Sequence, residues 1–183
     1  MNINPFNTLE SVIERPEVLA DKEPLAGLGR TGMLGYVLGT LGLFVYFRMF
    51  SVVPPGKISF LLMLSIVLLV NLLFTAVMHL FMELTGVSGR AGRLFHAFGY
   101  SDYFLTLLVP AGFFVKLGFL NAFFCFCLCF SVVVYARVAL VRKLYPVSAN
   151  KAVLSVGLPY ALFSGLAVLG FSSSIYWLVW LVM

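Results

Sequence analysis

The chain has 183 residues, 62% of them hydrophobic and 10% charged, with a formal net charge of +5 and three cysteines. A soluble domain of this composition would expose far more Phe, Leu and Val than water tolerates, which excludes the soluble globular class and makes the bilayer the relevant solvent. The expected fold is all-α: a polytopic helical bundle with five transmembrane helices.

Residues 1–31 form a polar tail ahead of a membrane domain over 32–183. The tail has no apolar core of the signal-peptide kind, so the first span is expected to act as the insertion signal. Residues 1–29 carry Glu10, Glu14, Glu17, Asp21 and Glu23 against Arg15 and Lys22, a net of −3, and the remainder carries +8. Asn7 and Glu10 have capping-box spacing, Phe6, Leu9, Val12 and Ile13 share a face, and Pro16 ends the segment, which predicts a short amphipathic helix. Its acidity suits docking on basic loops better than anchoring to anionic lipid.

A helix rising ~1.5 Å per residue needs roughly 20 apolar residues to cross ~30 Å of hydrocarbon. Span 1 is read over Met33 to Val53, closed by Pro54-Pro55-Gly56, and span 2 over Ile58 to Met82. A longer connection follows, from Glu83 to Ser101. The apolar stretch from Tyr103 to Val141 is broken only at Lys116-Leu117-Gly118, which predicts a helical hairpin. Asp102 to Phe114 is short for span 3, so that span must start earlier, thin the bilayer, or lie partly shielded by its neighbours. Ala152 to Met183 is long for span 5, which predicts a break near Gly170 or Ser172 to Ser174. Pro110 and Pro159 are expected to kink their spans.

Positive charge marks the cytoplasmic side. Arg15, Lys22, Arg30, Arg90, Arg93, Arg137, Arg142, Lys143 and Lys151 fall on one side and Arg48, Lys57 and Lys116 on the other. Nine against three places the N-terminus in the cytoplasm and the C-terminus outside.

Two groups of residues are candidate sites. Arg90, Arg93, Arg142 and Lys143, with the glycines of Gly86-Val87-Ser88-Gly89-Arg90-Ala91-Gly92-Arg93, could present guanidinium groups and backbone amides to a lipid phosphate or a partner. Asn71, His79, Glu83 and Asn121 are the candidate intramembrane polar site, because ionisable groups in spans commonly mark a pathway or ligand site. The simpler reading of His79 and Glu83 is interfacial, with Glu83 neutralised by Arg90 or Arg93. A zinc site on His79, Glu83 and His96 has no diagnostic spacing, and neither metal nor cofactor is expected. Cys125, Cys127 and Cys129 cannot converge at ~100° per residue and read as small hydrophobes. Gly35, Gly39 and Gly42, and Gly157, Ala161 and Gly165, form small-residue stripes whose first reading is packing within the chain and whose second is homo-oligomerisation.

His79 ending span 2, the Gly-rich turn, Phe95, Gly99-Tyr100-Ser101 before span 3, Tyr145-Pro146-Val147-Ser148 and Lys151-Ala152 before span 5 together resemble the Yip1 family of five-span membrane proteins. The segment around Arg15-Pro16-Glu17 is similar to its prokaryotic branch. The resemblance implies the same five-span topology and, in a prokaryote, the cytoplasmic (inner) membrane. The eukaryotic members are associated with vesicle traffic and Rab-type GTPases, but the long N-terminal region and the Asp-Leu-Tyr-Gly-Pro sequence of those relatives are missing here. The function expected is a non-enzymatic scaffold or adaptor in membrane organisation or trafficking, with a transporter or channel for a small solute, ion or lipid as the alternative. Expected partners are membrane lipids with anionic headgroups and a protein at the cytoplasmic face, with a second copy of the chain as the lesser reading; nucleic acid is not expected.

Overall fold

Backbone amides in hydrocarbon must bond within their own segment, and the regular structure of the described residues is entirely helical. The structure, a computed structural model, describes residues 28–182; the tail helix expected near residues 6–16 lies outside them. Helix α1 is Leu28–Met49, α2 is Lys57–Leu84, α3 is Ala91–Asp102, α4 is Leu108–Lys116, α5 is Ala122–Leu144 and α6 is Ala149–Val182. A 3-10 turn, Tyr103–Leu107, joins α3 to α4. Five segments are long and apolar enough to cross a membrane, the third of them being Ala91–Lys116.

That third span corrects the connection expected over Glu83 to Ser101. The helix begins at Ala91, so Gly99-Tyr100-Ser101 and Asp102 lie inside the span. The 3-10 turn falls just before Pro110, which has no amide to return to the Thr106 carbonyl, and tighter i→i+3 bonding takes up the local loss. The break expected in the last span is also corrected, since α6 runs unbroken through Gly170 and Ser172 to Ser174. The hydroxyls of Ser173 and Ser174 donate back to the Gly170 carbonyl at 2.9 and 2.8 Å. Polar side chains satisfied in this way leave the helix intact, whereas a break in lipid would orphan backbone groups. Pro159 is accommodated within the same helix.

The third span sits at the centre, touching α1, α2 and α5, while α6 lies outermost against α2 and α5. α1 and α3 run side by side in the same direction along a glycine seam. A Cβ on Gly32 would meet the His96 carbonyl at 2.3 Å, one on Gly35 the Gly99 carbonyl at 2.0 Å, and one on Gly39 the Asp102 carbonyl at 2.3 Å. Gly99 returns the contact, with the Gly32 carbonyl 2.0 Å from where its Cβ would stand. The first small-residue stripe is therefore consumed inside the chain. The second is not: nothing lies within 4 Å of a Cβ on Gly157 or Gly165.

Tyrosines lock this seam. Tyr36 donates to the Phe95 carbonyl at 2.6 Å, Tyr103 to the Thr31 carbonyl at 3.2 Å, and the Thr31 and Tyr100 hydroxyls bond each other. Two apolar clusters fill the bundle. One gathers Met78, Met82, Leu94, Phe98 and Val141; the other, further along the spans, gathers Tyr46, Leu105, Leu108 and Val133. Arg137 and Asp102 lie between them.

Candidate functional site

Asn71 lies midway along α2 and Asp102 midway along the third span, so they meet at the same depth. Arg137, seven residues before the end of α5, reaches them from its own helix. Its Nη2 donates to Asp102 Oδ1 at 2.7 Å and to Asn71 Oδ1 at 2.6 Å. Its Nε donates to Ser101 Oγ at 3.1 Å and its Nη1 to the Tyr160 hydroxyl at 3.0 Å. The guanidinium also lies 5.0 Å from the centre of the Phe98 ring, within cation–π range. Residues of α2, α3, α5 and α6 thus converge on one side chain.

The knot is closed and its formal charge balances. Asp102 is 1% exposed and Arg137 5%, so neither charge is relieved by solvent. The amide of Asn71 is held by its Nδ2, which donates to the Val67 carbonyl at 2.9 Å and lies 3.5 Å from Asp102 Oδ2. Each nitrogen of the guanidinium has an oxygen acceptor, the condition under which a charge pair survives removal from water. Two further hydroxyls, of Thr40 and Thr75, are buried without a hydrogen-bond partner among the described residues. Thr75 is one helical turn from Asn71, and Thr40 follows Gly39, whose backbone abuts Asp102.

A second polar group sits at one end of the bundle. His79 Nε2 lies 3.2 Å from Glu83 Oε1, and Nδ1 lies 2.9 Å from the Tyr145 hydroxyl. Burial first, and then the Glu83 carboxylate, push the Tyr145 hydroxyl up to about 12. Tyr145 therefore keeps its proton at neutral pH, and the His79 ring bridges its hydroxyl and the Glu83 carboxylate. The ring of Tyr145 covers the Gly-rich loop so closely that a Cβ on Gly89 would stand 2.1 Å from it. Lys151 Nζ donates to the Thr85 carbonyl at 3.1 Å, fastening the start of α6 to the end of α2.

The expected polar residues are thus distributed over three levels. Asn71 belongs to the central knot, His79 and Glu83 to one end, and Asn121 to the opposite end, where its Oδ1 accepts from the Phe124 amide at 3.2 Å as the N-cap of α5. They do not form one crevice. Glu83 is paired with His79 rather than with Arg90 or Arg93, because i,i+4 geometry on one helix brings the imidazole to it directly. Among the described residues no group of three His, Cys, Asp or Glu could hold a metal ion, so His79, Glu83 and His96 do not assemble. The cysteines are free, Cys125 and Cys129 buried and Cys127 less so.

Of the candidate headgroup residues, Arg90 precedes α3 as its N-cap, and Arg142 and Lys143 end α5 at the same end of the bundle. Arg90 and Arg142 are exposed, while Arg93 and Lys143 are engaged by other groups. Arg137 does not lie with the loop bases that follow it in the sequence; it is the centre of the knot. Its signal was present in the sequence: one base and one acid, Arg137 and Asp102, each isolated in an apolar stretch, have few ways to be stable in a membrane except by meeting.

Comparison of the chain with protein-family models, with curated proteins and with solved structures finds no match.

Proposed function

We propose that this protein is a non-enzymatic scaffold or adaptor of a prokaryotic cytoplasmic membrane, with its basic end in the cytoplasm and its C-terminus outside. The observation that carries this reading is the closed Arg137–Asp102 knot, which spends the polar groups at mid-depth on joining four helices instead of lining a passage. The separation of Asn71, His79–Glu83 and Asn121 onto three levels supports the same reading. So does the resemblance to the Yip1 family at Gly99-Tyr100-Ser101 and Tyr145-Pro146-Val147-Ser148. The partner surface is the end that carries Arg90, Arg142 and the Gly-rich loop.

A transport reading has one observation in its favour, the unpartnered hydroxyls of Thr40 and Thr75 beside the knot, which suit a hydrated path at that depth. One experiment separates the two. With Cys125, Cys127 and Cys129 replaced by Ala, a single cysteine is placed by Thr75→Cys or, as an exposed control, by Glu83→Cys. The membrane is then treated from each side with an impermeant thiol reagent. The scaffold reading expects labelling at position 83 and none at 75 from either side. Labelling at 75 would replace it with the transport reading.

A further inference from the structure

Between α5 and α6 the surface opens into a groove of about 610 Å³, lined by Phe130, Val134, Val138 and Arg142 of α5 and by Ala149 and Val153 of α6. From Phe130 to Arg142 is ~18 Å of helix, against ~15 Å for one leaflet of a ~30 Å hydrocarbon core. The groove therefore has the depth of a single acyl chain. Apart from the Ser131 and Tyr135 hydroxyls its walls are apolar until Arg142, and Ser131 Oγ is turned back onto the Cys127 carbonyl of its own helix at 2.8 Å.

Its mouth is built for an anion. Arg142 is exposed there, while the neighbouring bases are occupied: Lys151 on the Thr85 carbonyl and Lys143 by other groups. Ala149, on the opposite wall, is the first residue of α6, a helix of 34 residues. The first amides of a helix have no intrahelical acceptor and carry the positive end of its dipole. Among the described residues Ser148 Oγ takes the Lys151 amide, at 3.4 Å, and the amides of Ala149 and Asn150 precede it in the first turn, where an outside acceptor can reach them. A guanidinium and a helix N-terminus facing each other over an apolar slot match a phosphodiester carrying a fatty chain.

We infer that the α5–α6 groove binds one anionic phospholipid, its chain against Val134 and Val138 and its phosphate between Arg142 and the first turn of α6. This goes beyond the scaffold reading and does not depend on it, since a lipid so placed would serve a scaffold or a transporter equally.

The test is native mass spectrometry of the full chain in detergent, titrated with phosphatidylglycerol and phosphatidylcholine of the same acyl composition. Wild type is expected to bind phosphatidylglycerol about tenfold more tightly, the size of one charge-assisted contact. Arg142→Gln should remove the preference while leaving weak binding of both lipids, and Lys116→Gln, at the other end, should leave it unchanged. Val138→Trp, which fills the slot, should weaken both lipids; elution as a single symmetric peak identifies a folded sample. Equal binding of the two lipids by wild type, or a preference that survives Arg142→Gln, overturns the proposal. Thiol labelling at position 75 reads a different group, so either proposal can fail without the other.

Discussion

An arginine in hydrocarbon loses a hydration shell that only several oriented acceptors can replace, and the surroundings of Arg137 supply a carboxylate, an amide oxygen, two hydroxyls and an aromatic face. Removing one member is therefore much worse than removing the charged pair. Asp102→Asn leaves a buried guanidinium without its counter-charge and is expected to cost about 3–5 kcal/mol, read from denaturant unfolding in mixed micelles. Arg137→Met strands the carboxylate and should cost a similar amount. The double variant should recover much of the loss, because neither charge is then left alone. Additive losses in the double variant would mean that the two residues act separately. The sequence displayed both charges but not their meeting. Arg137 lies five residues from Arg142 and six from Lys143 and so reads as part of a loop cluster, and Asp102 reads as a membrane boundary until its partner is known.

The helices themselves were legible because apolar runs between charges are long and few, and five were expected where five occur. Boundaries suffered wherever the protein itself satisfies a polar residue: at Asp102, which hid the first eleven residues of the third span, and at Ser172 to Ser174, where the Ser173 and Ser174 hydroxyls bond back to their own helix. Glycine stripes were equally visible in both places, yet only one is a seam, since the sequence does not say which face meets a neighbour. The two stripes should respond differently to the same substitution. Gly35→Ala places a Cβ 2.0 Å from a backbone carbonyl that cannot turn aside, and separation of α1 from α3 should cost about 1–3 kcal/mol or more. Gly157→Ala meets nothing and should be neutral or stabilising by up to ~1 kcal/mol through helix propensity. Thermal unfolding of the two variants side by side checks both. Equal behaviour would mean that α1 and α3 are not in contact along this seam.

At the scale of the whole molecule the charges still sort by end once Arg137 is withdrawn from the count. Among the described residues Arg30, Arg90, Arg93, Arg142, Lys143 and Lys151 lie at one end, six, and Arg48, Lys57 and Lys116 at the other, three. Lys and Arg near span ends resist translocation, so the six-base end is the one expected in the cytoplasm. The last span is long enough for this arrangement. Ala149–Leu178 makes ~45 Å of helix, the thickness of a bilayer with its headgroup layers, which sets Lys151 among headgroups on one side when Tyr176, Trp177 and Trp180 reach the interface on the other. Aromatic side chains favour both interfaces, so of these groups Lys151 alone bears on direction, favouring the cytoplasmic side. From Ala161 onward the described side chains of α6 are exposed, so packing against α2 and α5 is confined to its first part. A phosphatase fused after Met183 should therefore be active, as it is only outside the cytoplasm, and one inserted at Gly89 or Asn150 inactive. Moving charge should move the outcome: replacing Arg142, Lys143 and Lys151 with Gln while placing three Lys after Met183 reverses the bias across the last span alone and should lower the activity of the terminal fusion. An active fusion at Gly89 with an inactive one after Met183 would invert the molecule and place the basic end, with its groove and Gly-rich loop, outside the cell.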